Sequence, residues 1–176
     1  MSPIIRAATT DDLPAITAIY NTAGVATTAS YDLSPVTVAD RAAWLQAKQR
    51  RRFPVLVATE MDTHGDQQVV GFASYGPFRD KAGYDFTVEH SVYVSTEHRA
   101  MGVGRMLMSA LVDHARGQGI HAMVGVLDAG NEASIAFHEQ LGFTESGRLH
   151  EVGRKFGTWL DVVLMTMTFP DTSPQR

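Results

Sequence analysis

The sequence predicts a mixed α/β protein, layered in the α+β manner, and three observations carry that prediction. Apolar residues recur at helical spacing in the first fifty residues and at period two after Pro54. The later strand-like runs are separated by helical ones, which calls for a sheet with helices laid against it. Finally, 176 residues with 44% hydrophobic content are enough for one sizeable core. Neither repeats nor a linker interrupt the pattern. A single domain over 1–176 is expected, with its core at about 4–169 and a frayed tail at 170–176.

Each element has a local reason. "IIRAA" (4–8) reads as a short strand. "TTDDLPAITAIY" opens a helix capped by Thr10 or Asp11, with Pro14 in its first turn and Leu13, Ile16 and Tyr20 facing inward. Residues 21–36 read as irregular. Thr37 and Asp40 form a capping box for a second helix, which must end near Phe53 because Pro54 follows. "VLVA" (55–58) and "QVVGFASY" (68–75) flank a polar turn containing Gly65 and read as a hairpin. "FTVEHSVYV" (86–94) alternates, with Phe86, Val88, His90, Val92 and Val94 on one face and Thr87, Glu89, Ser91 and Tyr93 on the other. A glycine loop and a helix at 103–116 follow, and "AMVGV" (122–126) is a strand. "NEASIAFHEQLG" is a short helix begun at Asn131 and stopped by Gly142. "FTESGRL" and "WLDVVLMTMTF" are closing strands.

Composition excludes several classes of function. No run approaches the 18 apolar residues that a membrane-spanning helix needs, and the first residues lack a secretory pattern. With no cysteine there is no disulfide, thiol nucleophile or thiolate metal ligand, which fits a cytoplasmic location. A net charge of −4 argues against nucleic acid as the main partner. The basic cluster Lys48, Arg50, Arg51 and Arg52 reads as the solvated last turn of a helix. His138-Glu139 does not continue into the metalloprotease pattern, because Gly142 stands where the second histidine is required, and no metal is expected.

The stretch "HRAMGVGRMLMSALVDHA" (98–115) is a glycine turn running into an amphipathic helix, an arrangement suited to phosphate. A mononucleotide P-loop needs Lys-Ser/Thr after its last glycine, and here Arg105 and Met106 follow Gly104. A dinucleotide fingerprint needs a third glycine where this chain has Leu107. The pattern Arg-x-x-Gly-x-Gly matches instead, as Arg99-Ala100-Met101-Gly102-Val103-Gly104. Small residues let successive amides turn toward one diphosphate, with Arg105 in the first helical turn adding a full charge.

"VEHSVYVSTEHRAMGVG" followed by "NEASIAFHEQLGF" resembles the GNAT superfamily of acetyl-CoA-dependent N-acetyltransferases. "TTASYDLSP", "ASYGPFR", "TVEHSVYV", "HEQLGF" and "VGRKFGTWLD" together resemble its phosphinothricin and methionine sulfoximine acetyltransferase branch, over about residues 4–169. The resemblance implies a GNAT fold, a mixed and mostly antiparallel sheet of about seven strands flanked by four helices. It implies that Arg99, Ala100, Met101, Gly102, Val103, Gly104 and Arg105 hold the diphosphate of acetyl-CoA. Val92, Tyr93 and Val94 would line the pantetheine arm, with the Val92 amide polarising the thioester carbonyl. Asn131 and Ser134 would bond the pantetheine and its phosphates. The branch commonly has glycine directly after the arginine, where this chain has Ala100.

Acetyl transfer to an amine requires removal of a proton from the ammonium, stabilisation of the carbonyl oxygen and protonation of the departing thiolate. Glu89, a mid-strand carboxylate among apolar neighbours, is the expected base, since such a group is either desolvated or paired with a cation. It could instead face solvent, or anchor the substrate ammonium. Where many superfamily members carry a tyrosine, "FHEQLGF" has His138, the candidate proton donor or relay; packing or capping is its other reading. The loop "YGPFRDKAGYDF" supplies Phe78 and Arg79, the arginine suiting a substrate carboxylate; Lys81 has no assignment. Phe78, Arg79, Glu89, His90 and Ser91 are the expected substrate contacts. "GRKFGTW", with Arg154, Lys155 and Trp159, lies by resemblance near the site and a homodimer contact. The implied activity is acetylation of the α-amine of a small amino acid such as methionine sulfoximine, methionine sulfone or phosphinothricin. Two alternatives stay open at this stage: another amine, such as a peptide N-terminus or an aminoglycoside, and a non-catalytic acetyl-CoA sensor.

Overall fold

Arg6 decides where the first helix starts. In the computed structural model, which describes residues 3–62 and 65–170, Arg6 lies on β1 (Ile4–Ala7) and donates to both carboxylate oxygens of Asp12 at 2.7 Å. The Thr9 amide donates to Asp12 as well, at 2.8 Å. The cap is therefore Thr9, not Thr10 or Asp11: a longer-range ion pair selects among adjacent capping residues. A single 3₁₀ turn at Thr10–Asp12 leads into α1 (Leu13–Ile19), with Pro14 in the first turn and Leu13 and Ile16 buried.

Where the sequence reads as irregular, the chain continues as a π-helix over Tyr20–Val25. Tyr20, Ala23 and Val25 are buried there, and the Tyr20 hydroxyl donates to Asp32 at 2.6 Å. The second helix, α2 (Val38–Arg50), begins with the expected Thr37–Asp40 capping box. Its buried face carries Leu45 and, unexpectedly, Arg41, whose guanidinium lies 3.7 Å over the Tyr20 ring. Of the basic cluster, Lys48 is not merely solvated. Its ammonium donates to the Tyr75 carbonyl at 2.8 Å, while Arg50, Arg51 and Arg52 are exposed.

The remaining elements are β2 (Val55–Met61), β3 (Gln67–Pro77), β4 (Thr87–Val94), α3 (Val103–Gly117), β5 (Ala122–Asp128), α4 (Glu132–Gln140), β6 (Thr144–Lys155) and β7 (Thr158–Thr168). Phe86 falls outside β4 and is exposed, so the alternation begins one residue later than expected. The seven strands follow the order β1-β2-β3-β4-β5-β7-β6. β1–β2, β2–β3, β5–β7 and β6–β7 pair antiparallel, whereas β4 and β5 run parallel, with Glu89 opposite Val124. Among the described residues this is the mixed, mostly antiparallel sheet of seven strands with four α-helices that the resemblance implies. No helix among the described residues is long and apolar enough to cross a membrane.

One domain is the sequence expectation; the chain groups into two compact units whose boundaries fall within β3, β4 and α3. The first comprises residues up to Tyr75 together with Ser91–Val112, and the second Gly76–His90 together with residues from Asp113 on. In the first, Leu13, Ile16, Ile19, Leu45, Val57 and Phe72 form the core, with Trp44 and Tyr93 packed against it. In the second, the fully buried Met123, Val163 and Met165 lie on the paired strands β5 and β7. The expected tail, from residue 171 on, lies outside the described residues.

The Arg6–Asp12 pair yields a stability prediction. Hydrogen bonding to Arg6 holds the Asp12 carboxyl below its ordinary range, against the opposing effect of burial. A depressed folded-state pKa stabilises above the unfolded value of about 4, and that contribution is lost as pH falls through the folded value. Asp12→Ala is expected to cost about 2 kcal/mol at neutral pH, with the deficit narrowing in acid. Urea midpoints across pH test this, and equal midpoints at neutral pH would refute it.

Candidate active site

A helix can offer its first amides to an anion only if the incoming chain turns away from its axis. After β4, a 3₁₀ turn at Thr96–His98 leads to Arg99, and then Ala100 adopts φ 60° and Gly102 φ 84°. The first bond at the start of α3 runs from the Met106 amide to the Gly102 carbonyl, at 3.1 Å. The amides of Val103 and Gly104 therefore lie ahead of that bond, at the mouth of the helix. A Cβ added at Gly102 would meet no atom of the described residues within 4 Å, so the space above it is clear. Arg99, Met101 and Arg105 are exposed, and Val103 is buried beneath them.

Ala100 thus occupies the left-handed conformation that glycine adopts most readily. For an L-residue this costs roughly 1–2 kcal/mol. A different glycine sets the height of the helix over the sheet. A Cβ at Gly71 on β3 would stand 3.0 Å from the Tyr93 carbonyl oxygen, 3.1 Å from Leu107 and 3.3 Å from Val103. The close-packing role that a dinucleotide fingerprint gives to a helix glycine falls here to the strand.

Burial alternates along β4 as far as His90 and then levels out. Glu89 is half-buried, as are Ser91, Val92, Tyr93 and Val94, whereas Val88 and His90 are buried. The Tyr93 ring packs into the first unit, 5.1 Å from Tyr20 and 5.4 Å from Phe72, and burial pushes its hydroxyl pKa up. Any contact it makes to a bound arm is therefore through its backbone.

In the second unit His90 and His138 stack with ring centroids 5.1 Å apart, against Phe143. Gly125 of β5 makes room for them, since a Cβ there would lie 2.9 Å from His90 Nε2 and 3.5 Å from His138 Nε2. The His138 Nδ1–H donates to the Ser134 carbonyl at 2.7 Å, which leaves a lone pair on Nε2. That nitrogen and both nitrogens of His90 are buried without a hydrogen-bond partner among the described residues. Burial lowers both pKa values, that of His90 to about 3, with the neighbouring His138 contributing, so both rings are neutral at pH 7. Asn131 caps α4, its side-chain oxygen accepting from the Ser134 amide at 3.0 Å.

The expected substrate loop is more open. Arg79 is exposed and folds back on Phe78, with its guanidinium 4.3 Å from the ring centre and Nη1 donating to the Phe78 carbonyl. Tyr84 packs edge-on against Phe78. In the β6–β7 hairpin, Arg154 lies over Trp159 and Lys155 is buried, whereas Leu149, Val152, Phe156 and Trp159 are exposed. Among the described residues no cluster of three His, Asp or Glu side chains could hold a metal ion. Sequence reading missed the bond from His98 to Glu60; its partners are 38 residues apart, with no local pattern to betray it.

Comparison with known proteins adds to this geometry. A family profile described as the acetyltransferase (GNAT) family matches residues 16–143. An L-methionine sulfoximine/L-methionine sulfone acetyltransferase of Pseudomonas paraeruginosa is 47% identical over 172 residues, covering 98% of each chain. A phosphinothricin N-acetyltransferase of Alcaligenes faecalis is 36% identical, covering 92% of this chain and 80% of that one. The solved structure of an acetyltransferase from Salmonella typhimurium with its cofactor acetyl-CoA is similar with a TM-score of 0.91 at 40% identity, covering 100% of this chain and 99% of the other.

The histidine stack gives a prediction independent of ligand. Gly125→Ala places a methyl group 2.9 Å from His90 Nε2 and forces the His90 ring to shift against its neighbours, at an expected cost of about 2 kcal/mol. Thermal denaturation measures this, and an unchanged melting temperature would show that the stack yields freely.

Proposed function

The chain belongs to the acetyltransferase (GNAT) family and is an N-acetyltransferase, and on that premise we propose that it acetylates the α-amine of small amino acids, using acetyl-CoA. Methionine sulfoximine, methionine sulfone and phosphinothricin are the proposed substrates, in keeping with the activities for which its relatives are named. The observation that carries the acetyl-CoA reading is the turn at 100–105: left-handed backbone, clear space over Gly102 and helix amides ahead of the ladder. A diphosphate fits that donor set, with Arg99 and Arg105 beside it. When bound, acetyl-CoA supplies an acetyl group activated as a thioester.

The remaining chemistry belongs to this chain's residues. Glu89, half-buried on β4, takes the proton from the substrate ammonium, directly or through water. The Val92 amide donates toward the acyl oxygen, where a preorganised donor gives its largest effect; Tyr93 and Val94 offer backbone to the pantetheine arm, and Asn131 and Ser134 border it. His138 relays a proton. Its Nδ1–H is fixed on Ser134, so Nε2 must accept a proton before it can give one. Arg79 takes the substrate carboxylate by swinging off Phe78, whose ring then flanks the ligand together with Ser91. The buried His90 shapes the floor of this region. The chain acts as a homodimer, which would cover the exposed Leu149, Val152, Phe156 and Trp159. A cytoplasmic location and no nucleic-acid partner suit its lack of cysteine and its net charge of −4.

Thiol release from acetyl-CoA, followed across an amine panel, tests the proposal. Small amino acids are expected to exceed an alanine-initiated peptide and an aminoglycoside by about 100-fold in kcat/KM. A faster peptide, or background rates with every amine, would overturn it. Glu89→Gln should lower kcat by about 10²-fold or more while acetyl-CoA still binds; an unchanged rate removes Glu89 as the base. Gly102→Val should lose acetyl-CoA binding in a folded protein, and retained binding would place the cradle elsewhere.

A further inference from the structure

Glu60, Ser95 and His98 have no part in the roles assigned above, yet they meet at the root of the cradle. The Ser95 amide donates to the Val70 carbonyl of β3 at 2.9 Å. Its hydroxyl lies 2.6 Å from His98 Nδ1, and His98 Nε2 donates to the Glu60 carboxylate at 2.5 Å. Both ends of that last bond are largely sheltered, with side-chain exposures of 17% for His98 and 24% for Glu60. Glu60 sits near the end of β2, paired with Gln68 of β3. His98, the residue directly before Arg99, is thereby fastened to one strand by its ring, and through Ser95 to another.

A second, independent observation explains what the fastening is for. Ala100 follows two residues later at φ 60°, a conformation that side chains other than glycine's adopt rarely. Such a residue stays there only where its surroundings over-determine it. Helix α3 fixes the chain beyond Gly102, and the Glu60–His98–Ser95 chain fixes it before Arg99. Without the latter, the segment would relax toward an ordinary backbone and turn its amides away from a common point.

We propose that Glu60, acting through His98, is a positioning residue for the diphosphate cradle: it holds the segment before Arg99 so that Ala100 remains left-handed and the amides at the start of α3 converge on one anion. The inference rests on the reading of residues 99–105 as that cradle. Glu60 contacts no substrate, and its influence on acetyl-CoA is carried wholly by backbone conformation.

The test is a double-mutant cycle between Glu60→Ala and Ala100→Gly, with calorimetric Kd for coenzyme A as the readout and melting temperature followed alongside. Glu60→Ala is expected to weaken binding about tenfold, the factor matching loss of a held left-handed residue. In steady state the loss falls on KM for acetyl-CoA rather than on kcat. Glu60→Gln, which keeps an acceptor for His98, restores most of the affinity. Glycine needs no holding at position 100, so in the Ala100→Gly background Glu60→Ala should cost much less. An unchanged Kd for Glu60→Ala, or an equal loss in both backgrounds, overturns the inference. A wild-type protein that binds no coenzyme A overturns the cradle reading and this inference with it.

Discussion

The constraint on which the first unit depends is a change of backbone hand in the segment between β4 and α3. Ala100 and Gly102 both take positive φ immediately before the helix begins at Val103. Everything near the turn follows from the need to keep it so. Ser95 and His98 fasten its approach, Val103 is buried as its exit, and Gly71 lets the helix lie close over β3. The dipole at such a helix end contributes only about 0.3–2 kcal/mol toward an anion. Geometric agreement among several amides therefore matters more than any one charge.

Buried polar groups define the second unit in a comparable way. Leaving a neutral hydrogen-bonding group unpaired in the interior costs roughly 1–3 kcal/mol, and the His90–His138 stack holds three nitrogens with no partner among the described residues. Apolar side chains of similar size would fill the space above Gly125 at lower cost. The stack is hence a feature that stability alone does not account for, which accords with the proton-relay role proposed for His138. Arg41 presents a milder version in the first unit, since the aromatic faces of Tyr20 and Trp44 partly compensate its charge.

Most of the fold was legible because its elements announce themselves locally. Thr37 with Asp40, Asn131 with Gly142 and, as far as His90, the alternation of β4 are short-range signals that the chain obeys. The failures share a cause. Three neighbouring residues could cap the 3₁₀ turn that leads into α1; Thr9 does, and its partner Asp12 is held by Arg6 from the preceding strand. The π-helix over Tyr20–Val25 has no matching apolar period. β6 extends to Lys155 with nearly every residue before Gly153 exposed, so no alternation marks its length. At the candidate site, Gly102 and Glu89 could be picked out because loop and strand patterns surround them. Glu60 could not, and neither could the union of His90 with His138, since tertiary folding alone brings these residues together.

Gly71 carries one consequence for how such a protein can change over time. Among the three atoms that crowd its missing side chain, Leu107 and Val103 could rotate aside, but the Tyr93 oxygen belongs to the main chain and cannot. Drift at this position is therefore closed off, whereas the facing helix residues remain free to vary in shape. The spacing between helix and strand is set like a gauge by the smallest residue available, and a lineage that lost it would have to rebuild the coenzyme end at a different height.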